Sequence, residues 1–131
     1  MQTRTINPSP WLQAFNINHG VEVTDGQRTL YLSGQTSTAA DGTPMHAGDL
    51  AAQFKFAWSN LKDALVEAGM SPADVTRLTI YTTDVDGIMG AGEELFGVIA
   101  ADGCSPAATL IGVARLYDPS IMVEIEGTAV A

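Results

Sequence analysis

The apolar positions of this chain follow two periods. Between Asp49 and Ala68, the residues Leu50, Phe54, Ala57, Trp58, Leu61, Leu65 and Ala68 recur at steps of three and four. That spacing puts them on one face of a helix over 49–68, with Lys55 and Lys62 on the solvent side. Asp49 is placed to cap its start, and Gly69 supplies the left-handed residue that ends it. Elsewhere the period is two, or the run is rich in β-branched residues. Ala14–Val23, Thr29–Ser33, Val75–Thr82, Ala108–Leu116 and Ile121–Val130 are predicted strands. Gly34 ends the second of them. Asp25-Gly26 is a hairpin-type turn signal, Asp41-Gly42 marks another turn, and Ser71-Pro72-Ala73-Asp74 reads as one capped turn. A weaker helix is predicted over Asp86–Ala101. Its face would be Ile88, Leu95, Phe96 and Ile99, diluted by glycines that each weaken a helix by about 1 kcal/mol relative to alanine.

The predicted order is β-β-α-β-α-β-β. The fold class is α+β, a single domain over 1–131, with two helices packed on one antiparallel or mixed sheet. The last strand alternates: Val123, Ile125, Gly127 and Ala129 on one face, Glu124, Glu126, Thr128 and Val130 on the other. A mixed second face suits an oligomer contact or a cleft, so the final strand pair, Pro106–Ala131, is expected to wall a small-molecule cleft.

Composition narrows the functional classes. Hydrophobic residues make up 46% of the 131 positions, enough for a core without disulfide or metal. Fifteen acids against six bases give a net charge of −9, and the bases do not cluster. Nucleic-acid binding rests on phosphate neutralisation, so neither nucleic acid nor an anionic membrane surface is an expected partner. No apolar run approaches the roughly 20 residues of a membrane helix. Cys104 is the only cysteine and Met1–Thr5 has no apolar signal stretch, so the expected compartment is the cytoplasm. Two histidines without neighbouring ligands make no metal site; His46 reads as an exposed loop residue, His19 as structural, and Cys104 as a loop thiol.

The segment Pro106-Ala107-Ala108-Thr109-Leu110-Ile111-Gly112-Val113-Ala114-Arg115-Leu116, followed by Val123-Glu124-Ile125-Glu126, resembles the C-terminal signature of the Rid (reactive intermediate deaminase, YjgF-like) family. Ser33-Gly34-Gln35, Ala51-Ala52-Gln53, Asn60-Leu61, Ala68-Gly69 and Asp84 match in order along nearly the whole chain. The resemblance implies a chorismate-mutase-like fold, a homotrimer with ligand clefts between adjacent subunits, and cofactor-free hydrolysis of enamines and imines such as 2-aminoacrylate. It implies a cleft built from Trp11, Ser33, Gly34, Ala108, Thr109 and Leu110, with Glu124 orienting water.

The chain departs from the pattern at one position of consequence. The family's substrate-gripping arginine falls on Ala108, and a residue often cysteine falls on Leu110. A guanidinium presents a rigid donor fork to a carboxylate, and alanine presents nothing. Arg115, assigned to the same strand but to its opposite face, would not replace it; Arg28 and Arg77 would serve only from a neighbouring subunit. The sequence therefore points to a divergent deaminase or hydrolase acting on a metabolite other than 2-aminoacrylate, with a non-catalytic ligand-binding or regulatory trimer as the alternative. Ribonuclease activity, sometimes attached to this family, is disfavoured by the charge.

Overall fold

The computed structural model describes residues 1–131. The elements run β1 (Gln2–Ile6), a 3₁₀ turn (Trp11–Phe15), β2 (Gly20–Thr24), β3 (Thr29–Gln35), α1 (Leu50–Glu67), a 3₁₀ turn (Pro72–Asp74), β4 (Val75–Thr82), α2 (Val85–Gly90), α3 (Gly92–Ala101), β5 (Ala107–Gly112) and β6 (Val123–Val130). The main sheet is four-stranded in the order β3-β6-β4-β5. β4 and β5 are parallel, and β6 is antiparallel to both β4 and β3. The α+β class with a mixed sheet is as expected.

Several expectations need correction. Ala14–Val23 is not one strand: it splits into a 3₁₀ turn, a left-handed Asn16 and β2. β2 pairs with β1, an unpredicted strand, in a separate two-stranded sheet. The Asp25-Gly26 turn therefore joins strands of different sheets and closes no hairpin. Gly34 lies inside β3, which continues to Gln35. The helix predicted over 86–101 is two helices broken at Ala91. β5 stops at Gly112, so Arg115 belongs to the connection that follows and not to a strand. β5 and β6 are not hydrogen-bonded neighbours, because β4 lies between them.

α1 forms where its period requires. Asp49 accepts a hydrogen bond from the Ala52 N–H at 3.0 Å, and Gly69 takes φ +70° just beyond the end. Phe54, Ala57, Trp58, Leu61 and Leu65 are buried against Leu78, Ile80, Val123, Ile125 and Ala129 of the sheet. α2 and α3 add Ile88, Leu95, Phe96 and Ile99 to the same core. Trp58 is a core residue, as expected, and its indole N–H donates to Asp102 at 2.7 Å. Lys62 and Trp58, in that order, hold the Asp102 carboxyl below the usual range.

All the helical packing lies on one side of the sheet. The burial of β4 and β6 alternates accordingly, leaving Arg77, Thr79, Tyr81, Glu124, Glu126 and Thr128 on the uncovered face.

Candidate functional site

Glu124 stands on the uncovered face of β6, level with Tyr81 of β4. On its other side the register between β3 and β6 shifts between Leu32 and Gln35. The Glu124 carboxyl lies against Gly34 of β3. A β-carbon placed on Gly34 would stand 2.6 Å from Glu124 Cδ and 2.7 Å from Oε1, so only glycine leaves room. Burial, and secondarily the neighbouring Glu126, push the Glu124 carboxyl above its ordinary value. A carboxyl so placed is suited to give and take protons. Glu126 is held differently: Tyr81 donates its phenolic O–H to Glu126 Oε1 at 2.7 Å.

Gly34→Ala is expected to displace the Glu124 side chain with little loss of stability, because the clash falls on the end of a flexible chain. Crystallography should show the rotated carboxyl, and Tm should fall by only a few degrees. A large loss of Tm would mean that the backbone, and not Glu124, sets the requirement for glycine.

The two loops flanking this site are tied to one buried side chain. Gln53, fully buried on α1, donates from Nε2 to the His46 carbonyl at 3.2 Å and the Ser120 carbonyl at 2.7 Å. Its Oε1 accepts from the Met122 N–H at 2.8 Å. The 36–49 loop and the connection into β6 are thereby fixed to the same helix turn. Asn60 donates to the Thr36 and Thr38 carbonyls at 2.9 and 3.0 Å, tying the first loop a second time. His46 is exposed, as expected, but has a left-handed backbone, and its Nδ1 is 2.9 Å from Ser37 Oγ.

The remaining expected site residues are not gathered here. Ala108 and Leu110 are level with Leu78 and Ile80 of β4, and they pack against the core from the edge strand. They face the helices, whereas Glu124 faces away from them. β5 lies two strands from β6, a lateral spacing of about 10 Å, and Ala108 lies a further three residues, about 10 Å, down the strand direction. Thr109 points to the uncovered face, where Arg77 donates to its Oγ1 at 2.6 Å. Within its own chain Arg77 thus reaches Thr109, on the face of β5 opposite Ala108. Ser33 is exposed beside Gly34. Trp11 is 62% exposed and makes edge contacts with Phe15 and His19. Asn18, which precedes His19, donates from its side chain to the Ser105 carbonyl at 2.8 Å.

Cys104 is a loop thiol, as expected, between α3 and β5. It is buried in the core, and burial, then Asp102, push the thiol up to about 12, which leaves it inert as a nucleophile. No group of three or more His, Cys, Asp or Glu side chains is placed to hold a metal ion. No helix is long and apolar enough to cross a membrane. Arg77, Tyr81 and the clamp role of Gln53 were not assigned to the site by sequence; the signal available for Gln53 was a buried-side position on α1 occupied by an amide.

A mixed sheet covered by helices on one face matches the α+β topology of Rid-family structures. The chain belongs to the Rid/YjgF-like family: residues 13–131 match the family model described as Endoribonuclease L-PSP. It is 34% identical to the Rid-family protein YyfB of Yersinia pestis, described as of unknown function, with a TM-score of 0.89 over 100% of both chains. It is 27% identical to RidA of the Antarctic bacterium Psychrobacter, with a TM-score of 0.68 over 87% of each chain. It is also 33% identical over 114 residues to Protein DfrA of Myxococcus xanthus, covering 87% of this chain and 84% of that one.

Proposed function

We propose that this protein is a cofactor-independent hydrolase of enamines or imines, working as a homotrimer of chorismate-mutase-like domains in the cytoplasm. The observation that carries the reading is the Glu124 carboxyl, seated over Gly34 and raised by burial. The expected cleft residues fall into two halves, Ser33, Gly34 and Glu124 toward β3, and Ala108, Thr109 and Leu110 on β5, at opposite edges of one sheet. One chain does not close a site from both. The β3 edge of one copy against the β5 edge of the next does, and a head-to-tail contact of that kind generates a ring.

In the reaction proposed, protonated Glu124 gives its proton to the imine nitrogen, making the carbon electrophilic. The carboxylate then takes a proton from the water that adds to that carbon. Collapse of the carbinolamine expels ammonia and leaves the carbonyl product, so one water is consumed for each C=N bond cleaved. The substrate lacks a small α-carboxylate, because Ala108 offers it no cation and Leu110 makes that wall apolar.

Native mass spectrometry gives the assembly, with three chains expected. Ammonia release from enzymatically generated 2-aminoacrylate and from a carboxylate-free ketimine gives the reaction. The ketimine is expected to turn over and 2-aminoacrylate to do so poorly. Ala108→Arg is expected to raise 2-aminoacrylate turnover tenfold or more, the scale of one charge-assisted clamp. Wild-type turnover of 2-aminoacrylate as fast as that of Ala108→Arg would remove the specificity reading. The missing cation also favours a second reading, a ligand-binding trimer without turnover, which would be supported by saturable ketimine binding with no product. Ribonuclease activity is disfavoured by the charge of −9.

A further inference from the structure

α1 carries, outside its core stripe, a feature that the reaction does not use. A cavity of about 540 Å³ lies between this helix and the loop that follows β3. Phe56, Asn60 and Asp63 line it from α1, and Thr38, Ala39 and Ala40 line it from the loop. Gln35 is its one contact with the sheet, and it is level with Ile125, on the side that the helices cover. None of the lining belongs to the uncovered sheet face.

The polar atoms that α1 leaves free here are acceptors. Asn60 spends its amide nitrogen on two carbonyls, those of Thr36 at 2.9 Å and Thr38 at 3.0 Å. Two carbonyl partners fix which end of the amide is the nitrogen. Oδ1 is thereby turned from them; no donor of the chain reaches it, and it is not buried. Asp63 follows at i+3 and is exposed. No base neutralises it. Arg4, Lys55 and Lys62 pair with Glu22, Glu94 and Asp102. Arg28, Arg77 and Arg115 donate to the Ala68 carbonyl, Thr109 and the Leu116 carbonyl. Residues three apart on a helix have Cβ atoms about 5–6 Å apart. An ammonium making two tetrahedral contacts of about 2.8 Å spans about 4.6 Å between its acceptors. One ammonium therefore serves both groups, and helix geometry sets their spacing. Phe56, one turn before Asn60, supplies an apolar surface, and its ring packs against His46 with centroids 5.2 Å apart.

We infer that this cavity is a binding site for a small primary amine with an apolar body, its ammonium shared by Asp63 and Asn60 and its carbons laid on Phe56. The net charge of −9 draws such cations toward the chain. The site is separate from Glu124, which stands on the opposite side of the sheet, and it does not depend on the reaction proposed above.

Amide chemical-shift titration of the full chain tests this with three probes: benzylamine, benzyl alcohol, which lacks the charge, and methylammonium, which lacks the apolar body. Benzylamine is expected to bind in about the millimolar range and to shift amides within 38–42 and 56–63. Each of the other probes is expected to bind at least roughly fivefold more weakly, the scale of one exposed charge contact or one partly covered ring. Asp63→Asn is expected to weaken benzylamine about fivefold and to leave benzyl alcohol unchanged. Phe56→Leu is expected to weaken benzylamine and leave methylammonium unchanged. Glu67→Gln, which removes one exposed charge of α1 outside the cavity, is expected to change neither. Three outcomes would overturn the site: no benzylamine shifts at about ten times that range, shifts centred on other residues, or equal losses in Asp63→Asn and Glu67→Gln. The last would mean that benzylamine responds to the acidity of the chain and not to this cavity.

Discussion

Glu124→Gln is expected to reduce ketimine hydrolysis by at least about a hundredfold while leaving ketimine binding within a few-fold. Glutamine fits the same space over Gly34, but it neither gives nor takes a proton, and proton transfer by a positioned side chain contributes roughly 10²–10⁴-fold. The same substitution is expected to stabilise the protein at neutral pH. The folded-state value of Glu124 is raised, by burial first and Glu126 second, so the unfolded chain releases this proton at lower pH than the folded one. Between the unfolded and folded values the folded state holds more protons, and stability falls as pH rises through that window. Above it, the neutral amide of the variant escapes the desolvation that the wild-type carboxylate suffers; below it, both side chains are neutral and the difference disappears. Thermal unfolding of the two proteins across pH 4 to 8 would show curves that meet at the acid end and separate toward neutrality. Wild-type turnover retained in Glu124→Gln would exclude Glu124 as the proton-transfer group, whatever the stability data showed.

Gln53→Leu is expected to be the most damaging single change to stability. Leucine is close to isosteric and apolar, so the packing on α1 is largely kept and the loss is electrostatic. The His46 and Ser120 carbonyls and the Met122 N–H each lose their side-chain partner. An abandoned buried polar group typically costs about 1–3 kcal/mol, so the sum is roughly 3–5 kcal/mol after partial relaxation. For a chain of this size that lowers Tm by more than about 10 °C. Hydrogen exchange should rise first in 36–49 and 113–122, the two loops the amide ties together. A Tm within about 3 °C of wild type would mean that water replaces the amide at all three groups.

The family and the layered α+β class were legible in the sequence because they depend on period and order. The stripe on α1 and the alternation of β4 and β6 are local consequences of 3.6- and 2-residue repeats, and both appear where they were expected. The N-terminal region was misread because Trp11–Phe15 and β2 together imitate one loose strand. The pairing of β1 with β2 across the intervening segment is a long-range contact with no local signature. Cys104 lies in a loop, as the sequence suggests, but its burial depends on packing that no local signal reveals.

Of the site, sequence by itself determined the inventory: Glu124 and Gly34 present, alanine at 108, an excess of acids throughout. Only the tertiary structure decided which of these residues meet. Side-chain period fixes the face of a strand but not the order of strands in the sheet. That order, β3-β6-β4-β5, brings Glu124 over Gly34, draws Arg77 toward Thr109, and leaves Ala108 at the far edge facing the helices. The physical reason is that strand order is chosen by burial of the whole apolar face at once, a sum over the chain that no single segment reveals.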